Sequence, residues 1–231
     1  MSLLRREQSI YTILMTSLKL FRENSYANTT IRQIAEQSGV SLGMVNHYFG
    51  SKEALGEQVL SLLSQYAFTP LSDSLSVNDD PVLYDLVTVR LFFNYVRTHG
   101  YWSFYLDSLN NDFFFKSLAE RPMTLANSLK KFYDFESDPD SELLYSRYFP
   151  YMMEKTIILK KETGLFPSIS YEEVPYLICS TAMNHFIPEE EIKKRNRESI
   201  LMAERLGHPL LDVPPEDVVI AFIQNSNAFC K

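Results

Sequence analysis

No stretch of this 231-residue chain holds eighteen consecutive apolar residues, so nothing in it reads as a membrane span. Its two cysteines, Cys179 and Cys230, lie far apart and lack metal-ligand spacing. Without a secretion signal they are expected to be reduced thiols, not a disulfide framework. Catalytic signatures are missing too. There is no GxSxG, no P-loop, no GxGxxG after a strand and no HExxH. The histidines are His47, His99, His185 and His208. His185 and Glu189 have the spacing of a metal pair, but Pro188 lies between them and no partner motif exists. No pair of carboxylates suggests general acid–base work. These absences leave no enzyme reading with residues behind it, and no metal or cofactor is expected. There is no convincing strand, internal repeat or low-complexity tract. The N-terminal run MSLLRREQSIYTILMTSLKLF resembles a targeting segment only at first sight. Its apolar residues (Ile10, Ile13, Leu14, Leu18, Phe21) fall at helical spacing and no small-residue cleavage site follows, so an amphipathic folded helix and a cytoplasmic protein are expected.

What is present is concentrated in TTIRQIAEQSGVSLGMVNHYFGSKEAL, residues 29 to 55. Thr30-x-x-Gln33 is a capping box, which satisfies backbone donors at a helix start. Ile31, Ile34 and Ala35 share a face of that helix. Gly39 suits the left-handed conformation that ends one helix and turns sharply into the next. Ser41 can cap the second helix, while Val40, Val45 and Phe49 bury its inner side. Small Ala35 lets the two helices cross closely. This is the layout of a helix-turn-helix, whose second helix enters the DNA major groove.

The run Gly39-Val40-Ser41 followed by His47-Tyr48-Phe49-Gly50-Ser51-Lys52-Glu53-Ala54-Leu55 resembles the TetR family of transcriptional regulators. There the helix-turn-helix leads into an aromatic pair, a short turn and Ser-Lys-Glu-x-Leu, which opens a long helix. The likeness covers about residues 5 to 60. Many members carry tyrosine where this chain has Asn46. The resemblance implies a ligand-responsive repressor that binds a palindromic operator in double-stranded DNA as a homodimer. Thr30, Ser41, Tyr48 and Lys52 match family positions that grip the phosphate backbone, and Arg5 and Arg6 can add contacts from the N-terminal arm. Helical spacing turns Gly43, Met44 and His47 outward, with Leu42 and Asn46 on the flanks. Asn46 and His47 suit base edges, Leu42 and Met44 a thymine methyl, and Gly43 close backbone approach.

Net charge is −7, but it is unevenly divided. Residues 1 to 52 carry six basic and three acidic side chains, and the remainder 16 basic and 26 acidic. A basic head on an acidic body fits a protein that meets phosphates at one end only.

The remaining pattern predicts an all-α chain. A helix-turn-helix domain over 1–50 is joined by a long helix, from Ser51 to about Leu71, to a helical effector-binding and dimerisation domain over 51–231. Helices are expected at about 5–24, 30–37, 41–48, 81–99, 101–109, 112–134, 139–162, 171–186, 189–206 and 215–229. Residues 91 to 151 hold 17 aromatics, about twice the chain's 13% average. Such a stretch can line a pocket for an apolar or amphipathic small molecule, or simply fill a helical core. Because the family resemblance implies an effector site in the body, Trp102, Phe104, Tyr105, Phe114, Met123, Tyr148 and Met152 are the candidate ligand contacts.

The family's homodimers join through two C-terminal helices. Here the pair is expected at 171–186 and 215–229, with Val174, Leu177, Ile178, Ala182, Val218, Val219, Phe222 and Ile223 exposed for the contact. The alternative is that these side chains pack within the subunit. The charged helix PEEEIKKRNRESILMAER reads as solvated, with a second nucleic-acid patch at Lys193, Lys194, Arg195 and Arg197 as the other reading. The competing function is a helical small-molecule-binding or interaction module whose helix-turn-helix does not read sequence.

Overall fold

The computed structural model describes residues 5–113, 115 and 124–226. Among these every regular element is helical. The order is α1 (Arg5–Asn24), α2 (Ile31–Ser38), α3 (Leu42–Phe49), α4 (Lys52–Ala67), a 3₁₀ turn (Thr69–Leu71), α5 (Pro81–Thr98), α6 (Trp102–Asn110) and α7 (Thr124–Tyr133). Then follow α8 (Pro139–Leu143), a π turn (Leu144–Tyr148), α9 (Phe149–Glu162), α10 (Val174–Met183), α11 (Glu189–Leu206) and α12 (Glu216–Asn225). No helix among the described residues is long and apolar enough to cross a membrane.

Local chemistry sets the boundaries. The Ser51 hydroxyl accepts from the Ala54 N–H at 3.0 Å and starts α4. Asp80 accepts from the Leu83 N–H at 3.0 Å, and Pro81, whose missing N–H costs nothing at a first position, opens α5. Asp138 caps α8 through the Ser141 N–H at 2.9 Å. The stretch 139–162, expected as one helix, carries a π turn in its middle. Pro150 explains it. Its ring cannot sit against the carbonyl four residues back and it has no N–H to donate, so the chain widens by one residue, with Phe149 N–H bonding Leu144 O. α10 begins at Val174, not at 171, because Ser170 and Glu173 bond reciprocally and close a separate turn before Pro175.

Contacts divide the chain into two compact units. The first is built from 1–66, 96–116 and 210–231, so it extends well beyond the first 50 residues. A three-helix head of that size has too little interior to cover its own apolar faces. In this unit α1 packs on α2, α6 and α12, and α2 on α3. Its core is Ile10, Ile13, Leu14, Leu18, Phe21, Ile34, Val45 and Leu55, all essentially sealed from solvent. A ring cluster completes it. Phe21 stacks on Phe104 at 5.0 Å, Tyr26 lies 4.8 Å from Phe113, and Phe104 lies 6.0 Å from Phe113.

The second unit spans 67–95 and 117–209. Here α9 packs on α10 and α10 on α11. Val82, Leu86, Leu129, Cys179, Met183 and Ile192 form an apolar cluster, with Phe135 stacked on Phe186 at 4.9 Å. Inside lies a buried polar group. The Arg90 guanidinium donates to Ser199 Oγ at 2.9 Å, to the Glu172 carbonyl at 2.7 Å and to Asn196 Oδ1. The buried Cys179 thiol is a hydrogen-bond neighbour of the half-buried Asp85 carboxyl, and Glu154 is buried. Burial pushes the Asp85 carboxyl up to about 6 and the Cys179 thiol well above its ordinary value.

The exposed apolar faces expected on the two C-terminal helices are not exposed. Val174, Ile178 and Ala182 are buried in the second unit, and Val219, Phe222 and Ile223 are buried in the first. Leu177 and Val218 are half-buried. An apolar stripe on an amphipathic helix marks burial, but not whether its own chain or a partner buries it. His185 stacks face to face on Tyr145 at 3.9 Å, a packing role. On α11, Lys193 pairs with Glu189 and Glu190, and Arg195 with Asp80, Glu191 and Glu198, so these two cations of the alternative basic patch already have carboxylate partners.

Candidate nucleic-acid interface

The helix-turn-helix is fixed by backbone chemistry at three points. Thr30 lies in the extended region before α2, and its hydroxyl accepts from the Gln33 N–H at 3.2 Å. The Gln33 side-chain oxygen returns to the Thr30 N–H at 2.7 Å, closing the capping box. Gly39 adopts φ +69°, the left-handed turn that only glycine takes without strain. Its position lets Gly39 N–H reach Glu36 O at 3.2 Å and Val40 N–H reach Ala35 O at 3.1 Å, satisfying carbonyls at the end of α2. Ser41 then caps α3, accepting from the Met44 N–H at 3.2 Å. Gly50, at φ +74°, ends α3 with its N–H on the Asn46 carbonyl at 2.9 Å.

With Val45 and Phe49 buried, α3 presents Leu42, Gly43, Asn46 and His47 to solvent and leaves Met44 and Tyr48 half-buried. Thr30 and Ser41 are also exposed, at the starts of α2 and α3. The helix N-terminus there offers backbone N–H groups and a positive dipole end, which suit a phosphate. Arg5, Arg6, Lys19 and Arg32 are exposed cations of the same unit.

Lys52 has an additional role that spacing does not show. Its ammonium sits 4.1 Å over the Tyr26 ring, where burial lowers its pKa and the nearby Asp107 carboxylate works the other way. Asp107 also accepts from the Ala27 N–H at 2.9 Å, holding the α1–α2 loop. The neighbouring His47 and Tyr48 rings lie 5.2 Å apart. Two further features escape sequence reading. Gly56 faces Tyr26 and Phe113 so closely that a Cβ would lie 3.0 Å and 3.3 Å from their rings. Arg22 pairs with Asp212 at 2.7 Å, across 190 residues. No local signal announces either.

The aromatic ligand candidates do not gather in one place. Phe104 and Tyr105 are fully buried in the first unit, where Phe104 belongs to the ring cluster. Trp102 is half-buried, 5.3 Å from Tyr105, with the Arg97 guanidinium 5.8 Å over its ring. Tyr148 and Met152 belong to the second unit and are exposed. Phe114 and Met123 lie outside the described residues, as does Cys230.

Residues 13–59 match the sequence profile of the family described as Bacterial regulatory proteins, tetR family. Curated relatives agree over the same end. The chain is 38% identical over 72 residues to YuxN, an uncharacterized HTH-type transcriptional regulator of Bacillus subtilis (strain 168). It is 43% identical over 47 residues to the HTH-type transcriptional regulator HbdR of Aromatoleum sp. (strain CIB). These matches take in 30% and 20% of this chain and 24% and 20% of the relatives' own lengths. Among solved structures, a TetR-family transcription regulator from Shewanella sp. PV-4 aligns over 86% of this chain and 96% of its own at 15% identity. Its TM-score of 0.43 is too low to support an argument about the body. The capped, glycine-turned helix pair lies within the matched segment and has the geometry of a helix-turn-helix. Over residues 13–59 the chain is similar to the bacterial regulatory proteins of the tetR family.

Proposed function

We propose that this protein is a ligand-responsive transcriptional regulator, not an enzyme, that represses by binding a palindromic operator as a homodimer. The observation that carries this reading is the outer face of α3. Leu42, Gly43, Asn46 and His47 stand together in solvent on a helix whose ends are fixed by Ser41 and Gly50. An exposed face that mixes two amide- and imidazole-bearing side chains, an aliphatic chain and a glycine is poor at holding a fold but well suited to base edges, a thymine methyl and close approach. Thr30, Ser41, Tyr48 and Lys52 take the phosphate contacts beside it.

Dimerisation is supported by a surface other than the one expected. In the second unit Leu144, Tyr148 and Met152 are exposed at steps of four residues along the π turn and α9, with Leu143 and Phe149 beside them. Several exposed apolar side chains on one segment suit an interaction face. It gives Tyr148 and Met152 a role in contacting a second copy. Ligand response rests on the family and on the aromatic richness of residues 91–151, and Trp102 provides a fluorescence probe of it.

The test is selection of double-stranded fragments from a random pool by the purified protein, with and without apolar ligands. A two-fold symmetric consensus is expected. Asn46→Ala and His47→Ala should each relax preference at one position and cost about 1–3 kcal/mol there. Retention of the full wild-type preference by both variants would remove α3 from base reading. Failure to enrich any sequence would favour the non-specific interaction module.

A further inference from the structure

The last part of the first unit comes from the far end of the chain, and it converges on one carboxylate. Asp212 Oδ2 accepts from Arg22 Nη2 at 2.7 Å, which ties it to α1. Asp212 Oδ1 lies 2.7 Å from His99 Nδ1, and the Asp212 carbonyl accepts from the Tyr101 hydroxyl at 2.7 Å, which ties it to the corner between α5 and α6. His99 and Tyr101 are buried. Arg22 also lies 5.6 Å over the Tyr101 ring, and Gly100, at φ +79°, gives the guanidinium room, since a Cβ there would stand 3.4 Å from its Nε. A few residues on, α12 lies along α1 with Val219, Phe222 and Ile223 buried. The opposite work of α1 is to support α2, on which it packs.

We propose that residues 210–225 are a clasp on the DNA-binding unit and that Asp212 is its positioning residue, fixing α1 so that α2 and α3 meet DNA in register. The inference rests on the DNA-reading role of α3 given above. Asp212 lies far from the α3 face in sequence and acts through Arg22 and the α1–α2 packing, not by touching DNA. Here the hydrogen bonds with His99 and Arg22 hold its carboxyl below the usual range. Loosening the clasp leaves every base-reading residue intact yet lets the helix-turn-helix shift against α1. The clasp therefore makes DNA affinity depend on the C-terminal end of the chain.

The experiment uses the full-length protein at a temperature well below its unfolding transition. DNA affinity is read by fluorescence anisotropy on the selected fragment, and backbone amide exchange is read over α1 to α3. Asp212→Ala is expected to weaken DNA binding about five- to tenfold and to speed exchange in α1 and α2. Asp212→Asn, which keeps the size and the backbone acceptor for Tyr101 but not the charge, should fall between it and the wild type. Asp73→Asn, at an exposed carboxylate of the second unit, is the control and should match the wild type. A merely structural Asp212 would lower the melting temperature while the folded fraction bound DNA as before. Wild-type affinity within about twofold, together with unchanged exchange in α1 and α2, overturns the clasp. If Asp212→Ala does not fold, Asp212→Asn is judged by the same two readouts. If the wild type selects no DNA, the regulator reading fails, and the exchange measurement alone still decides whether Asp212 holds α1.

Discussion

Replacing Gly43 with alanine is expected to leave the folded protein as stable as before or slightly more so, and to cost at least about tenfold in DNA affinity, or ~1.4 kcal/mol. Two glycines of the first unit differ in what surrounds them. Gly43 sits in α3 with no positive φ, and a Cβ there would meet only Ser41 Oγ at 3.8 Å, an ordinary contact. Nothing inside the protein requires a missing side chain at that position. Glycine within a helix costs roughly 0.5–1 kcal/mol relative to alanine, so the chain carries a small penalty that its own fold does not repay. On the proposed DNA-reading face of α3, the space above Gly43 would be filled by the DNA surface. Gly56 is the opposite case. A Cβ there would press on Tyr26 and Phe113 at 3.0 Å and 3.3 Å, so Gly56→Ala should destabilise by about 1–3 kcal/mol through overpacking. Thermal unfolding and anisotropy on the selected fragment check both. Unimpaired DNA binding by Gly43→Ala would show that α3 does not approach DNA through this surface.

The second large effect is expected at Asp85. Its folded-state carboxyl is raised from 3.8 to about 6 by burial, partly offset by the Cys179 thiol, so the native state prefers it protonated. A carboxyl whose pKa is raised by folding contributes stability that is fully present below its unfolded pKa and lost as pH rises through the folded value. The window here runs from about pH 4 to 6, and above it the native state holds a charged carboxylate that is half-buried and poorly solvated. Asp85→Asn keeps the size and an acceptor for the thiol while removing the charge. It should stabilise the protein at pH 7–8 by on the order of 1–3 kcal/mol, change little at pH 4, and flatten the pH dependence between them. Melting temperature against pH for the two proteins measures this. An unfolding profile with the same pH slope in both would mean that Asp85 titrates as an ordinary surface carboxylate.

The local frame of the candidate interface was legible in the chain because its causes are local. Thr30-x-x-Gln33, Gly39, Ser41 and Gly50 act within one turn of themselves, through caps and left-handed glycines, and the structure places each bond where the spacing puts it. The same holds for α1, α5 and α11, whose apolar periods or terminal signals are strong. The π turn before Pro150 was half legible: the proline announced a disturbance, but not that the helix would absorb it by widening. Whether an apolar stripe is covered by its own chain or by a second copy cannot be read from the stripe. Val219, Phe222 and Ile223 carry the pattern of an interface and are buried within the first unit, while Leu144, Tyr148 and Met152 stay exposed. Nor does aromatic composition separate core from pocket, because Phe104 has the same side chain whether it stacks on Phe21 or faces a ligand. What sequence alone determined was therefore the set of interactions closed within a few residues: the helices and their caps; on α3 Gly43 and His47 face solvent as the spacing predicts, but Met44 is half-buried and the flanking Leu42 and Asn46 are exposed. Only the tertiary structure decided the partners of Arg22, Lys52, Gly56 and Asp212, since each meets its neighbour across tens to hundreds of residues, and no local energy term encodes which distant segment will arrive.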